Sequence, residues 1–238
     1  MKNLILLPTY NERENVEIII KEIFALLPNI HILVIDDNSP DKTAEVVKNL
    51  MKQYPNLDIL ERQEKQGLGA AYKDAITKSI RDKDIYSIIT MDADGSHATE
   101  YLPVMLINIK EYDLIIGSRY VKGGGVEDWE FFRKKLSSFG NLYAKFWTGL
   151  KINDLTAGFV CVRREILEKI NFDHISSSGY AYQIEFKFMC AYTLGARVKE
   201  IPIIFKSRRQ GESKISNQVI SEGVILPIKL FFKRLWKR

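Results

Sequence analysis

Two carboxylates one residue apart, Asp92 and Asp94, open a polar stretch that continues to His97. The stretch directly follows residues 85–90, an apolar run rich in β-branched side chains, which is typical of a buried strand. Carboxylates are hard oxygen ligands for Mg²⁺ or Mn²⁺, ions that keep coordination positions open for a diphosphate. The sequence therefore predicts a divalent-metal site here, although Asp, Gly and Ser are also common in ordinary polar turns.

The segments that must position these carboxylates alternate between strand and helix patterns. Each of four apolar runs ends in a polar cluster and is followed by residues at helical spacing. The runs are residues 3–7, 32–35, 57–60 and 85–90. This order predicts a parallel sheet with crossover helices, whose strand ends form one ligand-binding edge. The predicted edge carries Tyr10, Glu12, Asp36, Asp37, Asp92 and Asp94.

The glycine-rich loops of two common nucleotide-binding classes are missing. Gly67-x-Gly69 has Tyr72 where the dinucleotide fingerprint needs a third small residue, and it follows the third strand instead of the first. No GxxxxGK[ST] loop occurs, which excludes a P-loop NTPase. We expect Gly67 and Gly69 to allow a tight turn and close helix packing instead.

Composition indicates a globular protein with a locally basic end. The 238 residues are 46% hydrophobic and 27% charged, with a net charge of +5. Because the charge is concentrated near the end of the chain, nucleic acid is not an expected partner. Cys161 and Cys190 lie in apolar surroundings and are interpreted as reduced core residues, as in a cytosolic protein. No apolar stretch approaches the ~18 residues of a bilayer-spanning helix, and no secretory signal is visible.

The second half is predicted to mix short strands with aromatic-rich helices. Strands are expected at residues 112–117, 160–162 and 201–205, the last at a sheet edge because of Pro202, and helices at residues 129–147 and 180–194. The glycines at 123–125 are interpreted as a loop and a candidate mobile lid. Arg119 and Arg208 follow predicted strands in glycine-containing loops, an arrangement that favours phosphate contacts over simple exposure.

Residues 215–238 are predicted to form an amphipathic, basic helical tail. Five basic residues and no acidic one lie between Gly223 and Arg238. Pro227 is expected to kink or break the helix, with the part before it packed on the core. The part after it combines aromatic surface with positive charge, which is typical of an interfacial helix on an anionic leaflet.

Eight short motifs, in one order along nearly the whole chain, resemble family-2 glycosyltransferases of the GT-A fold. Among these they are most similar to the dolichyl-phosphate (polyprenyl-phosphate) mannose synthases. The motifs are Pro8-Thr9-Tyr10-Asn11-Glu12, residues 35–41, Gly67-Leu68-Gly69, Asp92-Ala93-Asp94-Gly95-Ser96-His97, Gly117-Ser118-Arg119-Tyr120, residues 154–159, Gly179-Tyr180 with Gln183-Ile184-Glu185, and Arg208 with residues 211–214. The chain departs from the family at Gly95, where leucine is common, and at Lys42, where glycine is common.

The resemblance implies an α/β fold: a Rossmann-like, mostly parallel sheet flanked by helices, with a C-terminal amphipathic helix. It places a GT-A catalytic domain at residues 1–214 and the tail at 215–238. Pro8, Tyr10 and Glu12 would hold the nucleotide base, with Ile35 and Asp37 beside base and ribose. By the same resemblance, Asp92 and Ala93 would line the sugar nucleotide, and Asp94 and Ser96 would bind a divalent metal, Mg²⁺ or Mn²⁺. Phosphate groups would be contacted by Arg119, Arg208, Lys214 and, less strongly, Arg133.

The implied activity is an inverting transfer of mannose from GDP-mannose to a polyprenyl phosphate, with Asp94, Arg119 and Arg208 as catalytic residues. A lipid phosphate is already anionic at neutral pH and needs no general base, whereas a sugar hydroxyl would need one, and Asp154 is then the candidate. Two alternatives stay open: a transferase that uses UDP-glucose or another donor, acting on a lipid phosphate or a polysaccharide, and a non-catalytic sugar-nucleotide-binding subunit. We expect a cytoplasmic protein, peripheral on the membrane face through its tail, with a small membrane-spanning subunit as a further candidate partner.

Overall fold

The computed structural model describes residues 1–127, 131–175, 177, 179–207 and 217–236. Its centre is a seven-stranded sheet in the order β3-β2-β1-β4-β7-β5-β8. The strands are β1 (Lys2–Thr9), β2 (His31–Asp36), β3 (Leu57–Glu61), β4 (Ile85–Thr90), β5 (Leu114–Ser118), β7 (Val160–Arg163) and β8 (Val198–Pro202). All neighbouring pairs are parallel except those of β7, which runs antiparallel to both β4 and β5. The predicted mostly parallel α/β sheet is therefore confirmed.

Helices connect the strands and cover both faces of the sheet. They are α1 (Arg13–Leu26), α2 (Thr43–Met51), α3 (Leu68–Ser79), α4 (Leu102–Asn108), α5 (Phe131–Thr148), α6 (Arg164–Leu167), α7 (Gly179–Phe188, continued by a π-helical turn to Thr193) and α8 (Asn217–Trp236). The apolar side chains form two clusters, one dominated by α1, α2 and α4 and the other by α3 and α7. Because the strands have apolar residues on both faces, two helical layers are needed to bury them.

The two glycines after β3 do what their positions suggest. Gly67 has a φ of +92°, in the region that glycine adopts without strain, and it starts the tight turn into α3. A Cβ on Gly69 would lie 2.9 Å from the carbonyl oxygen of Ser177 and 3.1 Å from the Tyr182 ring. The predicted close helix packing is therefore confirmed: α3 approaches α7 through Gly69.

Two local predictions for the second half were wrong. Gly125 is not part of a free loop, because Gly125–Val126 forms β6 and pairs with β9 (Ile204–Phe205) in a second, two-stranded sheet. Residues 201–205 are accordingly divided between two strands, although β8 does lie at the edge of the main sheet. Pro227 lies inside a continuous α8, so of the predicted kink or break the break does not occur.

The C-terminal helix α8 packs along α5 and α7. Leu230 is buried and Phe231 meets Trp147 edge-on at 5.5 Å, whereas Val224 and Ile225, before Pro227, are about half exposed. The expectation that the part before Pro227 supplies the core contact is therefore wrong for these two side chains, whereas Leu226 before the proline and Leu230 after it both contact the core. No helix in the described ranges combines the length and apolar character needed to cross a bilayer.

Candidate active site

The carboxyl ends of β1, β2 and β4 lie side by side and form the predicted edge. Pro8 is the register partner of Ile35, and Thr9 that of Asp36. Met91, just past β4, donates its backbone N–H to Leu6 at 3.2 Å. Parallel pairing alone brings these ends together, because the side chains that leave each strand emerge at the same edge.

Hydrogen bonds connect the loop after β1 to the loop after β2. The backbone N–H groups of Asn11, Glu12 and Arg13 donate to Ser39 Oγ (3.0 Å), Thr43 Oγ1 (3.1 Å) and Asp41 Oδ2 (3.0 Å). Asn11 and Asn38 have φ values of 57° and 56°, which asparagine tolerates better than most residues. The two loops thus form one rigid wall of the edge.

The residues expected to hold base and ribose lie in this wall. Asp37 is buried and binds Arg62 Nη1 at 2.6 Å. Burial raises the pKa of Asp37, and the Arg62 guanidinium opposes that shift only in part. The Lys65 ammonium lies 4.0 Å from the centre of the Tyr10 ring, and Glu12 Oε2 accepts from Asn15 Nδ2 at 2.8 Å. Pro8 and Tyr10 are partly exposed, as a ligand surface requires, whereas Ile35 is buried beneath them.

The turn after β4 folds back on itself around Asp94. Asp94 Oδ1 accepts the backbone N–H of Ser96 at 3.0 Å, and Gly95 between them has a φ of +78°. Asp94, Ser96 and Ala93 are buried, so the turn is less exposed than an ordinary surface loop. Asp92 remains partly exposed at the edge.

The donor atoms of this turn fit a divalent cation. Ser96 Oγ is buried and has no hydrogen-bond partner within the described part of the chain. A buried hydroxyl without a partner is costly, and a cation on Ser96 Oγ and Asp94 would remove that cost. No group of three His, Cys, Asp or Glu side chains able to hold a metal occurs among the described residues. A metal here would therefore complete its coordination with ligand oxygens and water, as Mg²⁺ commonly does with phosphates.

His97 supports the turn from behind. Its Nδ1 accepts the backbone N–H of Asp92 at 3.0 Å, and its ring stacks on Phe159 at 4.9 Å. Burial lowers the pKa of His97, and Asp92 opposes this shift only in part. Because Nδ1 is an acceptor and the ring is neutral, His97 holds the Asp92 backbone and is not placed to move a proton at the exposed edge.

Arg119, expected to meet phosphate, is bound to Asp154. Arg119 Nε and Nη2 donate to the two Asp154 oxygens at 2.7 Å each, and Nη2 also reaches Thr156 Oγ1 at 2.8 Å. Burial alone would raise the pKa of Asp154, but the adjacent guanidinium lowers it overall. Asp154 is fully buried, and this pairing does not favour a role as general base. Both residues stabilise the loop that carries Ala157 and Gly158.

Gln183 and Lys187, two of the buried polar side chains on α7, lie beneath this edge. Lys187 Nζ donates to the Ala157 carbonyl oxygen at 2.6 Å and to Gln183 Oε1 at 3.3 Å. Burial lowers the pKa of Lys187 to about 7. Sequence reasoning had noted Gln183 only as part of a motif and had missed Lys187. Little in the sequence indicates a buried Lys187, since one lysine in a helix is normally exposed.

Arg208 and Lys214 lie outside the described residues, as does the side chain of Arg133. The structure therefore brings together Pro8, Tyr10, Glu12, Ile35, Asp37, Asp92, Ala93, Asp94 and Ser96 at one edge, with Arg119 in the adjoining loop. Both cysteines are buried thiols, and burial raises each pKa to about 12, which confirms the core interpretation.

Comparisons with known proteins agree with this arrangement. The profile of the family described as Glycosyl transferase family 2 matches residues 4–171. The polyprenol monophosphomannose synthase of Mycolicibacterium smegmatis is 41% identical over 94% of this chain and 84% of that protein. The undecaprenyl-phosphate mannosyltransferase of Micrococcus luteus is 38% identical (94% and 92%), and the dolichol-phosphate mannosyltransferase of Pyrococcus furiosus 35% (93% and 61%).

Solved structures share the fold at low identity. Glucosyl-3-phosphoglycerate synthase from Mycobacterium tuberculosis, crystallised with Mn²⁺ and UDP-glucose, superposes with a TM-score of 0.67 at 16% identity, over 98% of this chain and 78% of that one. At that identity the likeness shows the GT-A fold alone. The family profile and the three relatives show more than the fold. They establish that the chain belongs to glycosyl transferase family 2 and is a glycosyltransferase.

Proposed function

We propose that this enzyme transfers mannose from GDP-mannose to a polyprenyl phosphate, with inversion at the anomeric carbon. The observation that carries the proposal is the identity of 35–41%, over 93–94% of the chain, to three enzymes named as mannosyltransferases or synthases of polyprenyl phosphates. The strand-end edge supplies the matching site, with Tyr10 and Asp37 on the nucleotide side and Asp92 and Asp94 on the sugar-diphosphate side.

Asp94 and Ser96 would hold a divalent cation, Mg²⁺ or Mn²⁺. When bound, the cation neutralises charge that develops on the leaving diphosphate. Asp94 is held in place for this by the Ser96 backbone N–H, and His97 fixes the position of the Asp92 backbone. Arg208 and Lys214 are proposed as further phosphate contacts on the basis of their motif. Arg119 is proposed to act by holding the loop before β7 through its hydrogen bonds to Asp154.

A phosphate acceptor agrees with the groups that the site offers for proton transfer. A lipid phosphate is already an anion at neutral pH, so its attack on the sugar requires no general base. Two candidates for such a base are otherwise engaged: His97 is stacked and accepts a backbone N–H, and Asp154 binds Arg119. The arrangement therefore favours a phosphate acceptor over a sugar hydroxyl.

The donor and acceptor are tested together by a screen of the purified enzyme. GDP-mannose and UDP-glucose are offered separately, each with a short-chain polyprenyl phosphate and Mg²⁺ or Mn²⁺. We expect mannosyl transfer from GDP-mannose and at most traces from UDP-glucose. Preferred use of UDP-glucose would replace the proposed donor. The absence of turnover with any donor, despite sugar-nucleotide binding, would instead support a non-catalytic subunit.

We further propose that the protein binds the cytoplasmic face of a membrane through a surface shared by α5 and α8. Both helices expose large apolar side chains although they pack on each other, with Tyr143 donating to the Val224 carbonyl oxygen at 3.0 Å. The exposed apolar residues are Leu136, Phe139, Leu142 and Phe146 on α5, and Val224, Ile225, Phe232, Leu235 and Trp236 on α8. Exposed lysines accompany them: Lys134, Lys135, Lys229 and Lys233. Apolar surface beside positive charge matches an anionic bilayer, where the acceptor phosphate also lies.

Point substitutions test this surface better than truncation, because Leu230 and Phe231 are needed for packing. Phe146, 75% exposed on α5, and Trp236, 90% exposed on α8, are each changed to Glu. We expect both variants to lose co-sedimentation with vesicles that contain anionic lipid while they keep GDP-mannose binding. Ile107→Glu is the matched control, since Ile107 is 64% exposed on α4. Failure of the wild type to co-sediment at low salt, or an equal loss in the control, would contradict direct membrane binding; a membrane-spanning subunit would then be the candidate partner.

A further inference from the structure

Beneath the Asp92 side of the active-site edge, the Gln183 carboxamide presents an unused donor. Gln183 is 98% buried (relative exposure 2%), and its Nε2 has no hydrogen-bond partner within the described ranges. An amide N–H₂ in this situation loses its hydrogen bonds to water without replacement, which is costly. Such a group in a native fold indicates a ligand or water that the protein alone does not supply.

The orientation of this carboxamide is fixed by Lys187. Lys187 donates to Gln183 Oε1 at 3.3 Å and to the Ala157 carbonyl oxygen at 2.6 Å. The ammonium form of Lys187 has donors only, so it requires the Gln183 oxygen to face it, as the structure shows. The Nε2 group is consequently turned away from Lys187 and towards Gly158.

Gly158 leaves a gap that joins Gln183 to the active site. A Cβ at Gly158 would lie 3.8 Å from Gln183 Nε2, 3.8 Å from Asp92 Oδ1 and 3.6 Å from His97 Cε1. Gly158 and Asp92 are both partly exposed, so this space opens to the edge where the ligand binds. A donor, Gln183 Nε2, and a carboxylate acceptor, Asp92 Oδ1, both border it. A hydroxyl group, which accepts and donates at once, complements that pair.

We propose that Gln183 and Asp92 bind one hydroxyl group of the donor hexose in this gap, and that Lys187 positions the Gln183 carboxamide. Gln183 Nε2 donates to the hydroxyl oxygen, and the hydroxyl donates to Asp92 Oδ1. Gly158 keeps the gap open. The inference rests on the proposed function for the identity of the sugar, but the site itself requires only a sugar nucleotide.

The experiment compares binding of the sugar nucleotide with binding of its nucleoside diphosphate. GDP-mannose and GDP are titrated calorimetrically into wild type, Gln183→Ala and Lys187→Met. We expect each variant to weaken GDP-mannose by about ten-fold, the value of one hydrogen bond, and to leave GDP within about two-fold. Gln53→Ala, which changes an exposed glutamine just after α2, is the matched control and should alter neither affinity. An equal loss of affinity for GDP-mannose and for GDP, or no loss for either, would overturn the proposal.

Gly158→Ala is a second variant that leaves α7 untouched. Its Cβ makes only ordinary contacts, and φ at Gly158 lies outside the left-handed region, so we expect the fold to persist and GDP-mannose affinity to fall while GDP affinity stays. Unchanged affinity for both would count against the gap as a binding site.

Deoxy analogues identify the hydroxyl. A set of GDP-mannose analogues, each lacking one sugar hydroxyl, is titrated into wild type and Gln183→Ala. We expect one analogue for which the two proteins bind equally, because its missing hydroxyl is the partner of Gln183. A constant difference across the set would mean that the gap holds water only. If the wild type prefers another sugar nucleotide, the proposed donor is wrong, and the same comparison with that ligand and its diphosphate still tests Gln183.

Discussion

Arg119 and Asp154 are joined by two parallel hydrogen bonds, Nε to Oδ2 and Nη2 to Oδ1, each 2.7 Å long. The Arg119 backbone N–H also donates to Asp154 Oδ2, at 3.0 Å. Three donors from one residue thus meet a single buried carboxylate. The pair fixes the loop after β5 to the loop that precedes β7.

Asp154→Asn should destabilise the fold because it leaves the Arg119 guanidinium buried without a counter-charge. We expect the free energy of unfolding in urea to fall by about 3–5 kcal/mol. Glu61→Gln is the control, since its partner Lys48 and Glu61 are both about half exposed and such pairs contribute less than about 1 kcal/mol. Because the pKa of Asp154 is lowered in the folded state, its contribution is present above the unfolded pKa and disappears as the pH falls through the folded one. An unchanged unfolding curve for Asp154→Asn would show that the pair is dispensable.

Asp94→Asn should abolish turnover and leave the fold intact. The amide oxygen of asparagine can still accept the Ser96 N–H, whereas the lost charge weakens the binding of a divalent cation. Mannosyl transfer and the melting temperature are measured together, and Asp58→Asn, at an exposed position on β3, should change neither. Wild-type activity that persists in excess EDTA would rule out the metal.

Lys42→Gly should stabilise the protein. Lys42 has a φ of +70° just before α2, a backbone conformation that costs a residue with a Cβ about 1 kcal/mol or more. We expect a gain of up to about 1 kcal/mol in the free energy of unfolding, reduced by the greater chain entropy of glycine. Lys52→Gly, at φ −67° at the other end of α2, should bring no gain. Equal effects at both positions would mean that the conformation at Lys42 is not strained.

Lys187→Met should flatten the pH dependence of stability. Burial depresses the pKa of Lys187 from 10.5 to about 7, so between these values the unfolded chain binds more protons and wild-type stability rises with pH. The slope from one such group is about 1.4 kcal/mol per pH unit. We expect the free energy of unfolding, measured by urea titration, to rise more steeply for the wild type than for the variant from pH 7 to 10. Parallel curves would show that Lys187 is not held at a lowered pKa.

The product should carry a β-linked mannosyl phosphate. A single in-line displacement on the α-linked donor inverts the anomeric carbon, and the proposed mechanism includes no covalent enzyme intermediate. The anomeric signals in the product NMR spectrum decide this directly. An α-linked product would require two displacements and a nucleophile on the enzyme.

The carboxyl-end cluster was predictable because it depends on local patterns. Alternating strands and helices define a parallel sheet, and the strand ends then place Tyr10, Asp37 and Asp92 along one edge. The departure from the family at Lys42 was also visible in the sequence. The positive φ of Lys42 explains why glycine is common at this position in the family.

The features that sequence reasoning missed depend on long-range packing. Nothing local shows that β7 inserts antiparallel between β4 and β5, and this insertion brings Gly158 beside Asp92. The same packing buries Lys187 and Gln183. Two polar residues four positions apart in a helix are typical of its exposed face, so the sequence did not indicate this burial. Pro227 was predicted to kink or break the helix, and α8, which packs along α5 and α7, is not broken there.

The small β6–β9 sheet connects the Asp92–His97 turn to the segment that leads towards residue 208. Ser96 accepts the backbone N–H of Lys206 through its carbonyl oxygen (3.1 Å), and Phe205 lies edge-on to His97 at 5.4 Å. The Arg119 guanidinium lies 5.5 Å from the Phe205 ring. The Asp92–His97 turn and β9 should consequently behave as one cooperative unit in native-state hydrogen exchange. A ligand that orders either part should therefore slow amide exchange in both.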